Sequence, residues 1–305
     1  MAGSSTKVIV AALIGNSLIA VTKFIASAMT GSSAMFAEGV HSLVDTGNQV
    51  LLLYGLKQAR RPPDARFPFG HGKEVYFWSF IVAILIFAVG AGISIYEGVH
   101  RLSDPQPVTS PIINYIVLSL AIVFEGAAWL YAWRAFARVR GEWGLVEAVQ
   151  RGKDPSMFVV LFEDSAAMLG LLIALGALAL GDITGNPVFD GLASILIGLV
   201  LAATAAWLAF ETKSLLIGEA ANRYVVDDLR ARTLRSPGVN RVNEILTLHM
   251  GPDFIVALLS VEFDDAARTD DIENYIAKID GEIKRAHPVI KRVFIEAEAW
   301  QSLPG

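Results

Sequence analysis

Long apolar runs separated by short polar connections fill the first two thirds of the chain. Six runs approach the roughly 20 residues that an α-helix needs to cross a bilayer. We place them at about 8–29, 33–57, 75–99, 112–136, 157–180 and 187–210. The pattern predicts a polytopic α-helical membrane protein with six transmembrane helices. The first run is too long for a signal-peptide core, so we expect it to be a retained helix.

After residue 210 the pattern becomes that of a small soluble domain. A helix is predicted for "YVVDDLRARTLR", ended by "SPGV". A β-hairpin is predicted for "NRVNEILTLHMG" and "DFIVALLSVEFDD". An amphipathic helix and a third strand follow in "DDIENYIAKIDGEIKRAH" and "VIKRVFIEAE". We therefore predict a transmembrane domain over 1–218 and a C-terminal α+β domain over 219–305, in the order α-β-β-α-β.

The positive charges of the connections predict the orientation. The connections between runs 2 and 3 and between runs 4 and 5 are basic. In the connections between runs 1 and 2, 3 and 4, and 5 and 6, the only Lys or Arg is Arg101. The basic residues are Lys57, Arg60, Arg61, Arg66 and Lys73 between runs 2 and 3, and Arg134, Arg138, Arg140, Arg151 and Lys153 between runs 4 and 5. Because such loops stay on the cytoplasmic side, both termini are predicted to be cytoplasmic.

Composition narrows the classes of function. The chain is 54% hydrophobic and contains no cysteine, so disulfides and thiolate metal sites are excluded. The net charge of −5 gives no reason to expect nucleic acid as a partner. The mean hydropathy of +0.50 indicates a lipid bilayer as the surroundings.

Ionisable residues inside two of the apolar runs predict a metal site. His41 and Asp45 are four apart in run 2 and share one helix face, while run 5 contains Glu163 and Asp164. Each such group costs roughly 2.5–3.5 kcal/mol at the centre of a bilayer, so it usually marks a transport path. The two runs cross in opposite directions, which brings Asp45 and Asp164 to similar depth. An imidazole with carboxylates suits a divalent transition metal, zinc foremost.

Several polar residues of the same runs allow more than one reading. Adjacent helical residues point about 100° apart, so Glu163 and Asp164 do not easily aim at one ion. Lys23 and Glu38 are expected to have a structural role, either as a pair or with Lys23 extending outward to the membrane surface. Glu125 in run 4 is expected to line an aqueous cavity or to relay protons, or to do neither.

Four stretches together resemble the cation diffusion facilitator family, and most of all its zinc transporter 9 branch. They are "AEGVHSLVDTGNQ", "RPPDARFPFGHGKEVYF", "FEDSAAMLG" and "FDGLASILIG". The resemblance implies a homodimer that exchanges a cytosolic divalent cation, usually zinc, for protons by alternating access. It implies no prosthetic group, and a metallochaperone-like tail domain that dimerises.

The resemblance also implies roles for individual residues of the membrane site. His41 and Asp45 match the pair of ligands on helix 2, and Asp164 matches the second ligand on helix 5. Val160 stands where many zinc exporters of the family have His or Asp. The fourth ligand is therefore expected to be water, Glu163, Asn48 or a residue of another helix.

Outside the membrane the match is partial. Asp64 and His71 occupy two of three positions of a loop metal site, and Phe67 stands at the third. We expect a weak loop site or none. Lys73 resembles a lysine that forms a charge interlock near the end of helix 6, where Glu219 is the candidate partner.

These observations together predict zinc efflux coupled to proton influx. His41, with an unperturbed pKa of about 6.5, is the expected proton carrier. The alternatives are transport of manganese, iron, cobalt or nickel, a cation channel, a metal-sensing scaffold, or an intramembrane metalloenzyme. The expected location is a bacterial inner membrane.

Overall fold

The computed structural model describes residues 2–105, 111–140, 143–144, 147–149 and 155–299, except for the side chains of residues 2–12, 139, 156 and 157. The chain divides into two compact units. The first contains residues 1–58 and 75–213, and the second contains residues 59–74 and 214–305.

Long helices account for the first unit. Those in the described residues are α1 (Ala2–Thr30), α2 (Ser33–Ala59), α3 (Glu74–Ser103), α4 (Pro111–Arg140), α5 (Pro155–Thr184) and α6 (Val188–Ile217), the last of which continues into the second unit. Each coincides with one predicted run, and all six extend beyond it at one or both ends. Helices extend past the apolar runs because polar residues continue the backbone hydrogen bonds once the chain leaves the hydrocarbon region.

Five of these helices are long and apolar enough to cross a membrane, among the residues that the structure describes. The exception is α2, which has the length, 27 residues, but a lower mean hydropathy. Its buried polar residues, including Glu38, His41 and Asp45, lower the value. The predicted polytopic helical fold is confirmed, and the helix with the weakest membrane signal is the one that carries the candidate ligands.

Small residues bring the helices of the first unit together. A Cβ on Gly98 of α3 would lie 2.7 Å from the Gly191 carbonyl oxygen of α6, so only glycine permits this approach. Helix α4 packs along α5, where Trp129 Nε1 donates to Ser165 Oγ at 2.9 Å. Helix α3 also contains a π-helical stretch, Ile86–Ala91, which the sequence pattern does not predict.

The second unit has the predicted order of elements. They are α7 (Arg223–Leu234), β1 (Val239–Gly251), β2 (Phe254–Phe263), α8 (Thr269–Ala286) and β3 (Ile290–Ala297). The sheet order is β1-β2-β3, with β1 antiparallel and β3 parallel to β2. Apolar residues of both helices and of the strands form one core, which includes Leu229, Ala257, Leu259, Ile279 and Ile283.

Residues 59–74 belong with the second unit, although the sequence analysis placed them in the transmembrane domain. Gly72 lies against the tip of the β1-β2 hairpin, and a Cβ there would be 2.4 Å from the Met250 carbonyl oxygen. Phe69 and Phe254 also meet edge to face, with ring centroids 6.5 Å apart. Contacts of this kind join residues distant in sequence, which is why hydropathy alone assigned the loop differently.

Candidate metal transport site

One face of α2 presents the two ligands that the sequence predicts. His41 Nδ1 and Asp45 Oδ1 are 3.3 Å apart, and both side chains are buried. Neither atom has a hydrogen-bond partner of acceptable geometry among the described residues, and neither has His41 Nε2. A buried polar atom without a partner is costly. His41 and Asp45 therefore have nitrogen and oxygen atoms available to bind a cation.

Glu163 of α5 reaches the same face. Its carboxyl is in hydrogen-bonding contact with that of Asp45, and Asn48 Nδ2 donates to Glu163 Oε1 at 2.5 Å. Asn48 Oδ1 is buried without a hydrogen-bond partner in the described part of the chain. Two carboxylates in contact repel each other unless a proton or a metal ion lies between them. The contact between α2 and α5 thus requires a positive charge.

Asp164 and Glu125 complete the electrostatic surroundings. Both carboxyls are buried, and both interact electrostatically with Asp45. Glu125 comes from α4, and its Oε1 is buried with no hydrogen-bond partner among the described residues. Four carboxyl groups from three helices therefore act on one another inside the first unit. Such a concentration of buried acid is stable only with bound cations or protons.

The ligand groups are close but not yet gathered around one point. Within residues 2–105, 111–140 and 155–299, no three His, Cys, Asp or Glu side chains are arranged to hold a metal ion. Of the predicted ligands, the structure brings His41, Asp45, Glu163 and Asn48 together. For Asp164, the predicted ligand of helix 5, the described interaction with Asp45 is electrostatic. Its role as a ligand stays a prediction. Val160 is half-buried on the same helix.

Lys23 and Glu38 form the pair that the sequence suggested. Lys23 Nζ donates to Glu38 Oε2 and to Ser42 Oγ, each at 2.9 Å, and both charged side chains are fully buried. The pair lies one turn from His41 along α2. It connects α1 to the helix that carries the candidate ligands.

The two loop residues predicted as a weak metal site contact each other instead of leaving their ligand atoms open. His71 Nε2 is 3.1 Å from Asp64 Oδ2, while Asp64 Oδ1 accepts the backbone N–H groups of Arg66 and Phe67 at 2.8 Å each. The Phe67 and Arg66 amides and the His71 ring hold the pKa of the Asp64 carboxyl below its usual range. The arrangement accounts for a turn, and a loop metal site stays a prediction.

Lys73 lies at the helix end where the sequence placed it. Its Nζ donates to the Leu216 carbonyl oxygen in the last turn of α6 at 3.5 Å. A cation suits this position, because the carbonyl groups at the end of a helix carry partial negative charge. The Glu219 carbonyl oxygen accepts the His249 amide. The predicted interlock between Lys73 and Glu219 side chains stays a prediction.

Comparison with protein families decides what kind of protein has this site. The model of the cation efflux transmembrane domain matches residues 9–217, which include α2, α5 and every membrane residue discussed above. The chain belongs to the cation efflux family. Its members are transporters, so the prediction of a transporter is confirmed over that of an intramembrane metalloenzyme.

Relatives of this cation efflux protein include animal and plant proteins. It is 36% identical over 276 residues to the mitochondrial proton-coupled zinc antiporter SLC30A9 of Xenopus laevis, covering 90% of this chain and 49% of that protein. The Homo sapiens protein of the same name is 35% identical over 277 residues, covering 90% and 48%. Metal tolerance protein C4 of Arabidopsis thaliana is 36% identical over 218 residues, covering 71% and 48%. The chain spans about half the length of these relatives.

Proposed function

We propose that this cation efflux protein exports a divalent metal ion, principally zinc, in exchange for protons. The observation that carries the proposal is the set of buried polar atoms without hydrogen-bond partners on α2: His41 Nδ1 and Nε2, Asp45 Oδ1 and Asn48 Oδ1. Of these residues, Asp45 and Asn48 contact the Glu163 carboxyl of α5, and His41 lies beside Asp45. A divalent cation would bind one ring nitrogen of His41 together with the Asp45 and Asn48 oxygens, and would neutralise the Asp45 and Glu163 carboxylates.

The types of ligand favour zinc within the family. Zinc accepts imidazole nitrogen and carboxylate oxygen in sets of four, and the site offers His41, Asp45 and Glu163 with Asn48 or water as the fourth. Asp164 is the alternative carboxylate if α5 turns during transport. The animal relatives are named zinc antiporters, which supports the same substrate. Manganese, iron, cobalt and nickel are the competing substrates, because nitrogen and oxygen ligands also bind them.

Proton coupling follows from the same groups. Metal binding requires a neutral His41 and ionised carboxylates, so the ion enters as protons leave. When the ion departs, the contact between Asp45 and Glu163 needs a proton in its place. The two cargoes therefore compete for one set of atoms, which is the physical basis of exchange.

Zinc flux in proteoliposomes tests the function and the site together. We expect zinc uptake by the purified full-length protein to follow an imposed pH gradient and to reverse with it. Asp45→Asn and Glu163→Gln should abolish uptake, whereas Thr22→Ala, at an exposed position of α1, should transport like wild type. Uptake that ignores the gradient would refute the coupling. Full activity in both carboxyl variants would refute the site.

A metal panel in the same vesicles identifies the substrate. Zinc should compete with every other divalent ion that is transported, and should be taken up at the lowest concentration. Asp164→Asn distinguishes the two carboxylates of α5, since it should keep zinc binding if Glu163 is the ligand. Loss of zinc binding in Asp164→Asn with retention in Glu163→Gln would assign the site to Asp164 instead.

For the membrane and the orientation we propose that both termini lie on the side from which zinc is removed. The asymmetry of Lys and Arg between the connections supports it. The bacterial inner membrane remains the proposed location, with a mitochondrial membrane as the alternative that the animal relatives suggest. Labelling of single cysteines introduced at positions 66 and 104 in intact cells or vesicles would determine the sidedness.

We also propose that the second unit mediates a homodimer through the open face of its sheet. Leu246, Leu258 and Phe294 are neighbours across the three strands, and each is 43–52% exposed. Along β3, Arg292 and Glu296 flank Phe294 with opposite charges. Two copies related by a two-fold axis would join their apolar rows and place each Arg292 near the partner's glutamate. A second copy of the chain is therefore the occupant that fits.

Light scattering of the full-length protein in detergent tests this interface. Leu258→Glu should convert the dimer to a monomer or weaken it at least about tenfold, because a buried unpaired charge is costly. Leu234→Glu, a charge at another exposed leucine of the second unit, is the matched control and should remain dimeric. A dimer that survives Leu258→Glu unchanged would exclude the sheet face.

A further inference from the structure

The α2 and α5 helices touch at two points that share one spacing. Asp45 meets Glu163, and Glu38 meets Gly170, where a Cβ would lie only 2.3 Å from Glu38 Oε1. Both steps, from 38 to 45 and from 163 to 170, are seven residues, or two helical turns on one face. The two helices therefore pack antiparallel in one register. The contact between Glu38 and Gly170 is the second contact of the α2–α5 interface, and the first lies at the candidate metal site.

Lys23 of α1 binds the α2 residue that makes this second contact. Its ammonium group binds Glu38 and Ser42, which are four residues apart on α2, with His41 between them. One buried cation of α1 thus clamps the helical turn from which His41 projects. Because Asp45 follows Ser42 by three residues, the same clamp sets the rotation of the turn that presents both ligands to α5.

The charges of the clamp are unusual for a purely structural contact. An ion pair with no exposed surface gains little stability over an apolar pair of the same shape. Glu38 Oε1 is buried without a hydrogen-bond partner among the described residues, so the carboxylate is not optimised as a structural contact. Lys23 also interacts electrostatically with His41 and with Glu125 of α4. These features point to a role in the metal site.

We infer that Lys23 is a positioning residue for the metal site, which through Glu38 and Ser42 fixes the rotation of α2 that directs His41 and Asp45 toward Glu163. The inference rests on the proposed transport function, and assigns to it a residue that touches neither metal nor ligand. Replacing a residue that orients metal ligands without binding the metal itself commonly lowers metal affinity about 10- to 100-fold.

The test separates positioning from stability. In full-length protein, Lys23→Met and Glu38→Gln each leave part of a buried pair unsatisfied, so each should lower the unfolding midpoint by several degrees. The double variant K23M/E38Q has no unpaired charge, so it should unfold at a higher temperature than either single variant, although the amide introduced at position 38 and the Ser42 hydroxyl lose Lys23 as a partner. Ser42→Ala keeps the ion pair intact and tests the clamp without any charge change. Thr22→Ala, the adjacent exposed position of α1, is the control.

Zinc transport by these variants gives the decisive readout. The KM for zinc should remain raised about 10- to 100-fold in K23M/E38Q, although this protein is more stable than either single variant, with kcat little changed. Ser42→Ala should raise KM in the same direction by a smaller factor. A wild-type KM in K23M/E38Q would overturn the inference and leave the pair a structural contact.

Equilibrium zinc binding separates failure of this inference from failure of the proposed function. Competition with a fluorescent zinc indicator, measured on detergent-solubilised protein, needs no transport. Weaker binding by K23M/E38Q than by wild type would support positioning even if vesicle flux were absent. Equal binding would overturn positioning while leaving zinc as the cargo. Absence of zinc binding by wild type would refute the proposed function, and the inference with it.

Discussion

The approach of α5 to the buried Glu38 carboxyl depends on the absence of a side chain at Gly170, and Gly170→Ala measures how tight it is. The new Cβ would lie 2.3 Å from Glu38 Oε1 and 3.7 Å from Ile197 Cγ2. Non-bonded heavy atoms pack at about 3.5 Å, so the methyl group and the carboxylate must separate by about 1 Å. Glu38 cannot turn aside freely because its other oxygen holds Lys23.

The expected cost follows from this overlap. Inserting a methyl group into a packed interior costs about 1–3 kcal/mol. Replacing glycine by alanine within a helix returns up to about 1 kcal/mol. We therefore expect Gly170→Ala to lose about 1–2 kcal/mol, which corresponds to a fall in the unfolding midpoint of roughly 2–4 °C for each kcal/mol.

Thermal unfolding of the purified protein in detergent, followed by circular dichroism, measures this shift. Gly176→Ala is the matched control in the same helix, because a Cβ there meets no heavy atom of the described residues within 4 Å. It should unfold at the wild-type temperature or above. Glu38→Asp withdraws the carboxylate by one methylene and should make the Gly170→Ala substitution less costly than it is in the wild-type background. Equal midpoints for the two alanine variants, or strictly additive losses with Glu38→Asp, would refute the reasoning.

Three further substitutions test contacts elsewhere in the chain. Asp190→Ala removes the carboxylate that accepts hydrogen bonds from Ser33 N and Oγ at 2.6 and 2.7 Å, at the start of α2. The free energy of unfolding should therefore fall by about 1–3 kcal/mol, measured by the same assay. Gly72→Ala places a Cβ 2.4 Å from the Met250 carbonyl oxygen and should raise the protease sensitivity of the 59–74 loop. Asp228 has a lowered pKa, chiefly through its hydrogen bond from Arg232, so its contribution is present above pH about 4 and disappears as pH falls through the native pKa. Asp228→Asn should therefore be less stable than wild type at pH 7 by under about 1 kcal/mol, and should lose that difference in acid.

Much of the fold can be predicted because each element carries its own pattern. Twenty apolar residues specify a helix in lipid, where every backbone group must be satisfied within the segment. Alternation in β1 and β2 similarly specifies strands. The π-helical stretch Ile86–Ala91 and the association of 59–74 with the hairpin could not be predicted. Both depend on packing between residues distant in sequence, which periodicity does not record.

Part of the candidate site could likewise be predicted from the sequence, and part could not. His41 and Asp45 could be paired from sequence because a helix fixes the geometry of residues four apart. Which α5 carboxylate meets them could not, since the choice between Glu163 and Asp164 depends on the rotation of α5. The seven-residue spacing shared by Glu38 with Asp45 and by Glu163 with Gly170 was the available signal. It becomes informative only when the two helices are known to be antiparallel neighbours.

The Lys23 and Glu38 pair also constrains how the chain enters the membrane. Inserted alone, α1 would carry an ammonium group and α2 a carboxylate into the hydrocarbon, at roughly 2.5–3.5 kcal/mol for each. The two charges lie 2.9 Å apart on helices joined by the short turn between Thr30 and Ser33. Entering together, the helices present a neutral pair. We therefore expect the first two helices to insert as one unit, a hairpin in which α2, the least apolar of the six helices, enters the bilayer together with α1.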